Sequence, residues 1–487
     1  MSFAATLLEA LKRDLPLIYP QLILAVAATL MLWPGDLFVP KGEKGRWSFI
    51  TLVVLAVTSL FVLTGPTNTG FSGMFRVDGV TRAFQLLCLG AGALTVLLSQ
   101  PQLNALKEQT VEYYALILFS LAGMLFLVGA TDLVSMYFSI ELMALCIYIL
   151  VGYLRDQERS VEAGVKYFLL GAFSSGILIY GIALLFAATG GTTTNLAEMG
   201  RILALAPQNH NFLVFTGVLM LLVGFGFKVA AVPFHMWSPD AYEGAPTPIT
   251  AFMSMAPKAA ALAAFVRIFG TGLQGVRADW AAPLAFLAAA SMIVGNIAAM
   301  KQQSLKRMLA FSSIAHVGYM LLGVLSGDSQ AGAQAIWLYM LTYVLMQTGA
   351  FGVLIILQGT GEGERIDDFR GLAQRRPVLA FAMLVFLLSL AGIPPLVGFF
   401  SKFVLFKLAI EQGFYTLTVI ALLTSAVGAY YYLGVVQKMY FEGGREGEVK
   451  TLPANFGLIL GGACALVLLG TLFANKLVAW VGTLTWM

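Results

Sequence analysis

Apolar residues fill long runs of this chain, and the polar residues collect between those runs. A run of about 20 mostly apolar residues is long enough to cross a bilayer as a helix. Fourteen such runs are legible: 15–33, 48–64, 79–99, 111–129, 131–154, 161–188, 211–232, 245–269, 279–300, 304–326, 332–357, 378–410, 414–440 and 454–482. The second is short, and only Gly129-Ala130-Thr131-Asp132 separates the fourth from the fifth. The longest connections, 189–210 and 358–377, are too short to build a core of their own. The pattern therefore predicts an all-α polytopic membrane protein without a soluble domain, of about 14 transmembrane helices.

Composition agrees and excludes other classes. Of 487 residues, 59% are hydrophobic and 11% charged, against about 25% charged in a soluble domain. Mean hydropathy is +0.84. A nucleic-acid binder, a secreted disulfide scaffold and a disordered adaptor are all excluded, and no nucleic-acid partner is expected. Cys88, Cys146 and Cys464 sit inside apolar runs and form no Cys-x-x-Cys pair or His/Cys cluster, so no metal or redox centre is expected on this chain. No phosphate-cradling glycine motif lies between a strand and a helix, and no haem-attachment motif is present. The N-terminal MSFAATLLEALKRDLP lacks a small-residue cleavage site and reads as part of the mature chain.

Basic residues orient the spans. The odd-numbered loops carry fifteen, among them Lys41, Lys44, Lys107, Lys301, Arg370, Arg445 and Lys450; the even loops and both tails carry five. Basic loops stay cytoplasmic, so both termini of a fourteen-span chain face the other side, the periplasm if the membrane is a bacterial inner membrane.

Five charges resist a loop assignment: Glu141, Lys166, Lys228, Lys258 and Lys402. A charge at mid-membrane costs about 2.5–3.5 kcal/mol on insertion scales and marks a functional site by default. Glu141, in the middle of the fifth span, reads as a proton-binding carboxylate or as the ion-pair partner of a nearby lysine. Lys166, two turns into the sixth span, either snorkels to the cytoplasmic edge or pairs with Glu141. Lys228 precedes Pro233 in a long span that the proline interrupts. Broken helices at membrane depth line polar cavities and build ion sites there, and burial disfavours a charged lysine, so Lys228 suits proton exchange. Lys258 follows Pro257, which predicts a kink, among small residues that leave room for water. Lys402 follows Pro394-Pro395, and the string Ala391-Gly392-Ile393-Pro394 echoes Ala230-Ala231-Val232-Pro233. Lys407 lies nearer the outer end and reads as snorkelling. His316, inside the tenth span, is either a satisfied core histidine or a proton relay. His235, two residues past Pro233, is a candidate to continue a path from Lys228. His210 lies in a loop and carries no assigned role.

The two broken spans, the seventh and twelfth, are five helices apart. Five is odd, so the two units enter the membrane in opposite senses, as in an inverted-topology repeat. This divides the chain into an N-terminal three-helix segment (1–110), a first repeat (111–270), a second, inverted repeat (279–440) and a C-terminal helix (441–487). A midplane chain of ionisable groups, coupled so that protonation of one changes the next, is the mechanism this suggests.

The strings SIELMALCIYILVGYLRDQERSVEAGVKYFLLGAFSSGILIYG, FKVAAVPFHMWSPDAYEGAPTPITAFMSMAPKAA, SLKRMLAFSSIAHVGYML and LAGIPPLVGFFSKF resemble the antiporter-like membrane subunits of respiratory complex I, over about 110–440. Within that family, a lysine in the twelfth span differs from the glutamate usual in chain M, and chain L is longer, with a lateral helix. The resemblance implies that Glu141 is the family's fifth-span glutamate and Lys228 its broken-helix lysine. Lys166 matches the sixth-span lysine, Lys258 the connecting lysine of the eighth span, and Lys402 the lysine towards the outer exit. It further implies proton translocation coupled to quinone reduction elsewhere: NAD, FMN, iron–sulfur clusters and quinone bind other subunits, with no cofactor on this chain. The implied partners are chain M, the small chain K and the lateral helix of chain L. The same charges would serve a multi-subunit cation/proton antiporter or a membrane-bound hydrogenase, and that alternative stays open at the level of the residues.

Overall fold

The structure, a computed structural model, describes residues 3–33, 45–106, 110–205, 212–327, 329–359, 364–443 and 454–473, with a few positions beyond. Lys41, Lys44, Lys107, His210, Arg445 and Lys450 lie outside the described residues. The chain opens with α1 (Phe3–Asp14), α2 (Tyr19–Leu32), α3 (Arg46–Thr64) and α4 (Gly79–Leu106). Next come α5 (Val111–Gly129), α6 (Leu133–Val151), α7 (Glu158–Ala188), α8 (Leu196–Leu205), α9 (Phe212–Val229), α10 (Trp237–Gly244) and α11 (Thr247–Arg267). The remainder is α12 (Arg277–Ala299), α13 (Leu305–Leu325), α14 (Ser329–Gly359), α15 (Leu372–Arg375), α16 (Pro377–Ala391), α17 (Val397–Glu411), α18 (Tyr415–Phe441) and α19 (Ala454–Leu469).

Thirteen helices among the described residues are long and apolar enough to cross a membrane. The twelfth predicted span is the exception, because it is split into α16 and α17; with it the number of spans is the fourteen that the apolar runs predict. The narrow fourth-to-fifth boundary is real. Asp132 ends the gap by accepting hydrogen bonds from the amides of Val134 (2.9 Å) and Ser135 (3.0 Å), which caps α6. The seventh span is also split, into α9 and α10, around the predicted proline.

Three expectations change. The segment between α3 and α4 carries a short antiparallel hairpin, β1 (Asn68–Gly70) with β2 (Phe75–Val77), too brief for a hydrophobic pattern to announce. The 189–210 connection contains α8, which buries Leu196, Met199 and Leu203, a spacing of three and four that puts them on one helix face. And α11 runs through Pro257 as one helix. A proline frees one carbonyl and crowds one turn; here neighbours bury the helix along its whole apolar length and hold it together.

That central position of α11, with α13 and α14 almost as deeply buried, explains why these helices are apolar on all sides. Large apolar side chains on α2, α3, α7 and α18, such as Leu30, Phe49, Phe173 and Leu423, face outward. One buried ion pair ties the N-terminal segment to this centre. Arg267, at the end of α11, donates Nη2 to both Asp78 oxygens (3.1 and 2.9 Å) and Nε to the Val128 carbonyl (3.0 Å). Asp78 in turn accepts from the Thr81 amide at the start of α4. At the far side, Lys438 and Arg370 flank Asp367, and the hydrogen bond from Lys438 holds that carboxyl below the usual carboxylate range.

Candidate functional site

The break after α9 shapes the first part of the site. Ala230 takes a left-handed conformation (φ 61°), which is costly for a residue with a side chain and persists only where the surroundings impose it. Among the amides released by the turn, that of Val232 is taken up by Ser291 Oγ of α12 at 2.9 Å. Lys228 therefore sits in the last turn of α9, where a cation is favoured by the helix dipole. Its side chain is 2% exposed, and its Nζ lies 3.6 Å from Glu141 Oε1. It donates to Ser175 Oγ (3.4 Å) and Tyr148 OH (3.5 Å), and Ser175 Oγ donates to Glu141 Oε1. Glu141 and Tyr148 are seven residues apart and share one face of α6.

Neither Ser175 nor Tyr148 stands out in the sequence. A serine among Gly, Phe and Ser in a membrane helix reads as packing, and only the fold shows it bridging two charges. Gly171, one turn earlier on α7, is the trace of this arrangement: a Cβ there would lie 1.9 Å from the Tyr148 hydroxyl.

Lys166 pairs with other groups than Glu141. It meets Glu162 (2.6 Å) on its own helix and Asp240 (3.3 Å) on α10, with its side chain 48% exposed. The reason is axial distance. Lys166 precedes Ser175 by nine residues, about 13 Å along a helix, and stays at the edge of the span.

Lys258 is buried on α11 and donates to Ser313 Oγ of α13, with the Tyr242 ring 5.7 Å away. The sequence neighbour Ser312 is hydrogen-bonded to Tyr432 OH. His316, one turn on, meets Tyr339 OH through Nδ1 (2.7 Å) and Tyr432 OH through Nε2 (3.3 Å). Its ring is also 5.9 Å from that of Tyr319, over which Lys402 Nζ sits at 5.3 Å.

The second break builds the Lys402 position differently from the first. α16 ends at Gly392, whose left-handed φ of 84° only glycine adopts freely. Lys402, on α17 after the break, reaches back to the Leu390 and Ala391 carbonyls (3.0 Å each) and to Ser425 Oγ (2.9 Å). A cation thereby takes up carbonyls that the helix end leaves unpaired. A cavity of about 700 Å³ adjoins it, lined by Ile393, Phe403, Phe406, Leu422 and others. Lys407 is exposed and pairs with Glu411 at 3.6 Å. His235 lies in the first break, half-buried and edge-on to Phe311 at 6.5 Å; the contacts described for it do not include Lys228.

Ring and hydroxyl contacts join these groups into a row. From Lys228, Phe227 (5.9 Å) and Trp237 (5.5 Å from Phe227) lead to Tyr242 (6.4 Å) and Lys258. Two hydroxyls beside that stretch, Ser238 Oγ and Tyr242 OH, are buried without a hydrogen-bond partner of good geometry among the described residues. Lys258, Ser313 and His316 then lead on to Tyr319 and Lys402. The row alternates titratable groups with rings; between Lys228 and Lys258 the rings of Phe227 and Trp237 exchange no proton, so transfer there needs a hydroxyl or a water beside them. Among the described residues, no group of three or more His, Cys, Asp or Glu side chains could hold a metal ion.

Residues 130–428 match the family described as NADH:quinone oxidoreductase/Mrp antiporter, transmembrane. The NADH-quinone oxidoreductase subunit N of Trichlorobacter lovleyi is 41% identical, over 93% of this chain and 94% of that one. A chain of respiratory complex I from Thermus thermophilus superposes with a TM-score of 0.78 at 34% identity, over 95% of this chain and 98% of that one. A chain of the Mrp complex from Dietzia superposes with the same TM-score at 21% identity, over 96% of each chain; that likeness is one of fold. With its split helices, its buried lysines and this degree of identity along nearly its full length, the chain belongs to the NADH-quinone oxidoreductase subunit N family, the antiporter-like membrane subunits of respiratory complex I.

Proposed function

We propose that this multi-pass membrane subunit of a proton-translocating NADH:quinone oxidoreductase moves protons along Glu141, Lys228, Lys258 and Lys402, with Lys166, His316 and His235 in secondary roles. The observation that carries the reading is the Glu141–Lys228 pair, 3.6 Å apart and mostly buried within the spans. Two charges are rarely kept at that depth for stability, since removing them from water costs about as much as their attraction returns. A pair bridged by Ser175, with Tyr148 on the lysine side, holds one exchangeable proton in a small volume. Opening the pair leaves Lys228 without its carboxylate in apolar surroundings, which drives its proton onward towards Lys258. Ser238 and Tyr242, buried hydroxyls beside the route, suit a water that would join the two lysines.

Redox cofactors belong to other subunits in this reading: NAD, FMN, iron–sulfur clusters and quinone react elsewhere, and this chain responds. Residues 111–270 and 279–440 act as two inverted repeats around the row. The basic bias of the odd loops sets the orientation in the bacterial inner membrane, with both termini periplasmic. Glu141 supports the partner assignment. Its side chain is 24% exposed on a helix whose Phe138, Leu142 and Leu145 also face outward. A carboxylate at that depth does not face lipid, so a neighbouring subunit covers it; we assign that neighbour to the small chain K. Chain M is assigned to the side of the Lys402 cavity, and the lateral helix of chain L to a further contact.

Lys258→Met tests the row, because methionine keeps most of the volume and cannot carry a proton. In the assembled complex, NADH-driven proton pumping is expected to fall by about a hundredfold, the scale of one positioned proton carrier, with the subunit still present. Unchanged pumping would remove Lys258 from the path. Gly171→Ala is the gentler variant. The added methyl displaces the Tyr148 hydroxyl from Lys228, and pumping is expected to fall by about threefold to tenfold, the effect of roughly one ordinary net hydrogen bond; a wild-type rate would show that Tyr148 does not support the pair.

A further inference from the structure

A small number of aromatic rings lie between Lys228 and the Lys166 end of α7, the end that the basic loops assign to the cytoplasm. Lys228 is walled by the rings of Tyr148 and Phe227, at 6.0 and 5.9 Å from its Nζ. The next layer is Tyr167 and Trp237, stacked at 4.1 Å with their planes 7° apart. Tyr148 stands edge-on to Tyr167 at 4.6 Å, and Trp237 Nε1 donates to the Phe227 carbonyl at 2.9 Å. Immediately beyond lies an open cavity of about 300 Å³ lined by Arg159, Glu162, Lys166, Asp240 and Glu243.

The stacked rings and the charges of this cavity ride on the same two helices. Tyr167 follows Lys166 on α7, and Asp240 is three residues after Trp237 on α10. The Lys166–Asp240 ion pair (3.3 Å) therefore spans the same gap as the Tyr167–Trp237 stack. Asp240 is held on its other side by Arg307 of α13 at 2.8 Å. Lys166 has a second partner in Glu162 on its own helix, at the shorter distance of 2.6 Å, so it can leave Asp240 without becoming unpaired. α10 is a short half-helix between the break of the seventh span and Pro246, and its first residue is Trp237. Such an element can tilt without unwinding a full span, and its tilt carries the indole.

We propose that the Tyr167–Trp237 stack is the cytoplasmic barrier to the Glu141–Lys228 pair, and that Asp240 is the positioning residue that latches it through Lys166 and Arg307. When the latch is made, the rings stay parallel and the pair is dry. When Lys166 moves to Glu162, α10 is freed on its α7 side and water from the cavity reaches Ser175. This inference rests on the reading of Glu141–Lys228 as the proton-exchanging pair. Its test reads solvent access and not pumping, so the two can fail separately.

The experiment uses the assembled complex in inside-out membrane vesicles with Ser175→Cys as the probe. A small, positively charged methanethiosulfonate reagent is added without NADH, and modification is followed by mass spectrometry of the peptide containing position 175. The probe alone is expected to react slowly. Asp240→Asn and, independently, Lys166→Met are expected to speed modification about threefold or more, the effect of losing one or two partly exposed ion pairs. Trp237→Leu is expected to speed it about tenfold, the scale of an aromatic stack, whether or not Asp240 is changed. Asp240→Glu, which keeps the charge, is expected to leave the rate within about twofold of the probe alone, and Lys166→Met covers the case in which Asp240→Asn fails to assemble. A rate unchanged in Trp237→Leu overturns the barrier. A rate unchanged in both Asp240→Asn and Lys166→Met, with Trp237→Leu fast, overturns the latch.

Discussion

Lys228→Ala is expected to abolish proton pumping by the assembled complex and to slow quinone-dependent NADH oxidation with it. The lysine is the buried member of the Glu141 pair and sits in the last helical turn before the break in the seventh span. A positioned side chain that accepts and gives a proton is worth about 10²–10⁴-fold in rate, and alanine supplies neither the amine nor its reach to Ser175 and Tyr148. The variant also leaves Glu141 without its cation. Removing one partner of a buried pair costs about 3–5 kcal/mol when the other cannot relax; Glu141 is partly exposed and can take up a proton, so a smaller cost is expected and the subunit should still assemble. The measurement is pumping in vesicles normalised to the amount of complex. Glu141→Gln combined with Lys228→Met provides the control for folding, since it removes both charges together. If Lys228→Ala pumps at the wild-type ratio of protons to NADH, the chain of charges proposed for this subunit is wrong.

Asp78→Ala should act on stability. Asp78 is fully buried and accepts from Arg267 Nη2 at both of its oxygens, and the guanidinium is itself only 3% exposed. Alanine leaves a buried cation with hydrogen bonds to oxygen atoms but no counter-charge, at a cost of about 3–5 kcal/mol. That is a large part of the 5–15 kcal/mol that typically holds a domain folded. The loss is local to the joint between α4 and α11, so the expected result is a lower melting temperature of the complex and less of this subunit in it. The double variant Asp78→Leu with Arg267→Met should recover much of the loss, because it removes the charge along with its partner. A melting temperature within error of the wild type in Asp78→Ala would mean that the pair contributes little to holding the N-terminal segment.

These two predictions start from residues of different legibility. Lys228 stands out in the sequence because a lysine inside an apolar run has no bland explanation at that depth. Arg267 is just as buried, yet it falls near the end of its run and reads as a loop-proximal charge, and Asp78 reads as part of a connection. Nothing in the order of residues links positions 78 and 267. Ser175 and Tyr148 illustrate the same limit from the other side: hydroxyls are common in membrane helices, where they hydrogen-bond to their own backbone, so a bridging one is indistinguishable until its neighbours are known. Lys166 shows how a residue singled out in the sequence can have partners other than the one expected. It is one of the charges singled out by its position, but the rise of the helix puts it nearer to Asp240 than to Glu141.

What the sequence determined by itself was most of what depends on position along a helix, the kink expected at Pro257 excepted. A bilayer requires runs of fixed length, prolines interrupt them, and charges inside them are costly; those rules yield the spans, the two breaks and the short list of Glu141, Lys228, Lys258 and Lys402. What only the tertiary structure decided was pairing across helices: Glu141 with Lys228 through Ser175, Lys258 with Ser313, Lys402 with the open end of α16, Arg267 with Asp78, and Tyr167 stacked on Trp237. The reason is geometric. Helix periodicity is written in one dimension, while the strength of a charge, a hydrogen bond or a ring contact depends on separations of a few ångströms between residues that the chain brings together only when it packs.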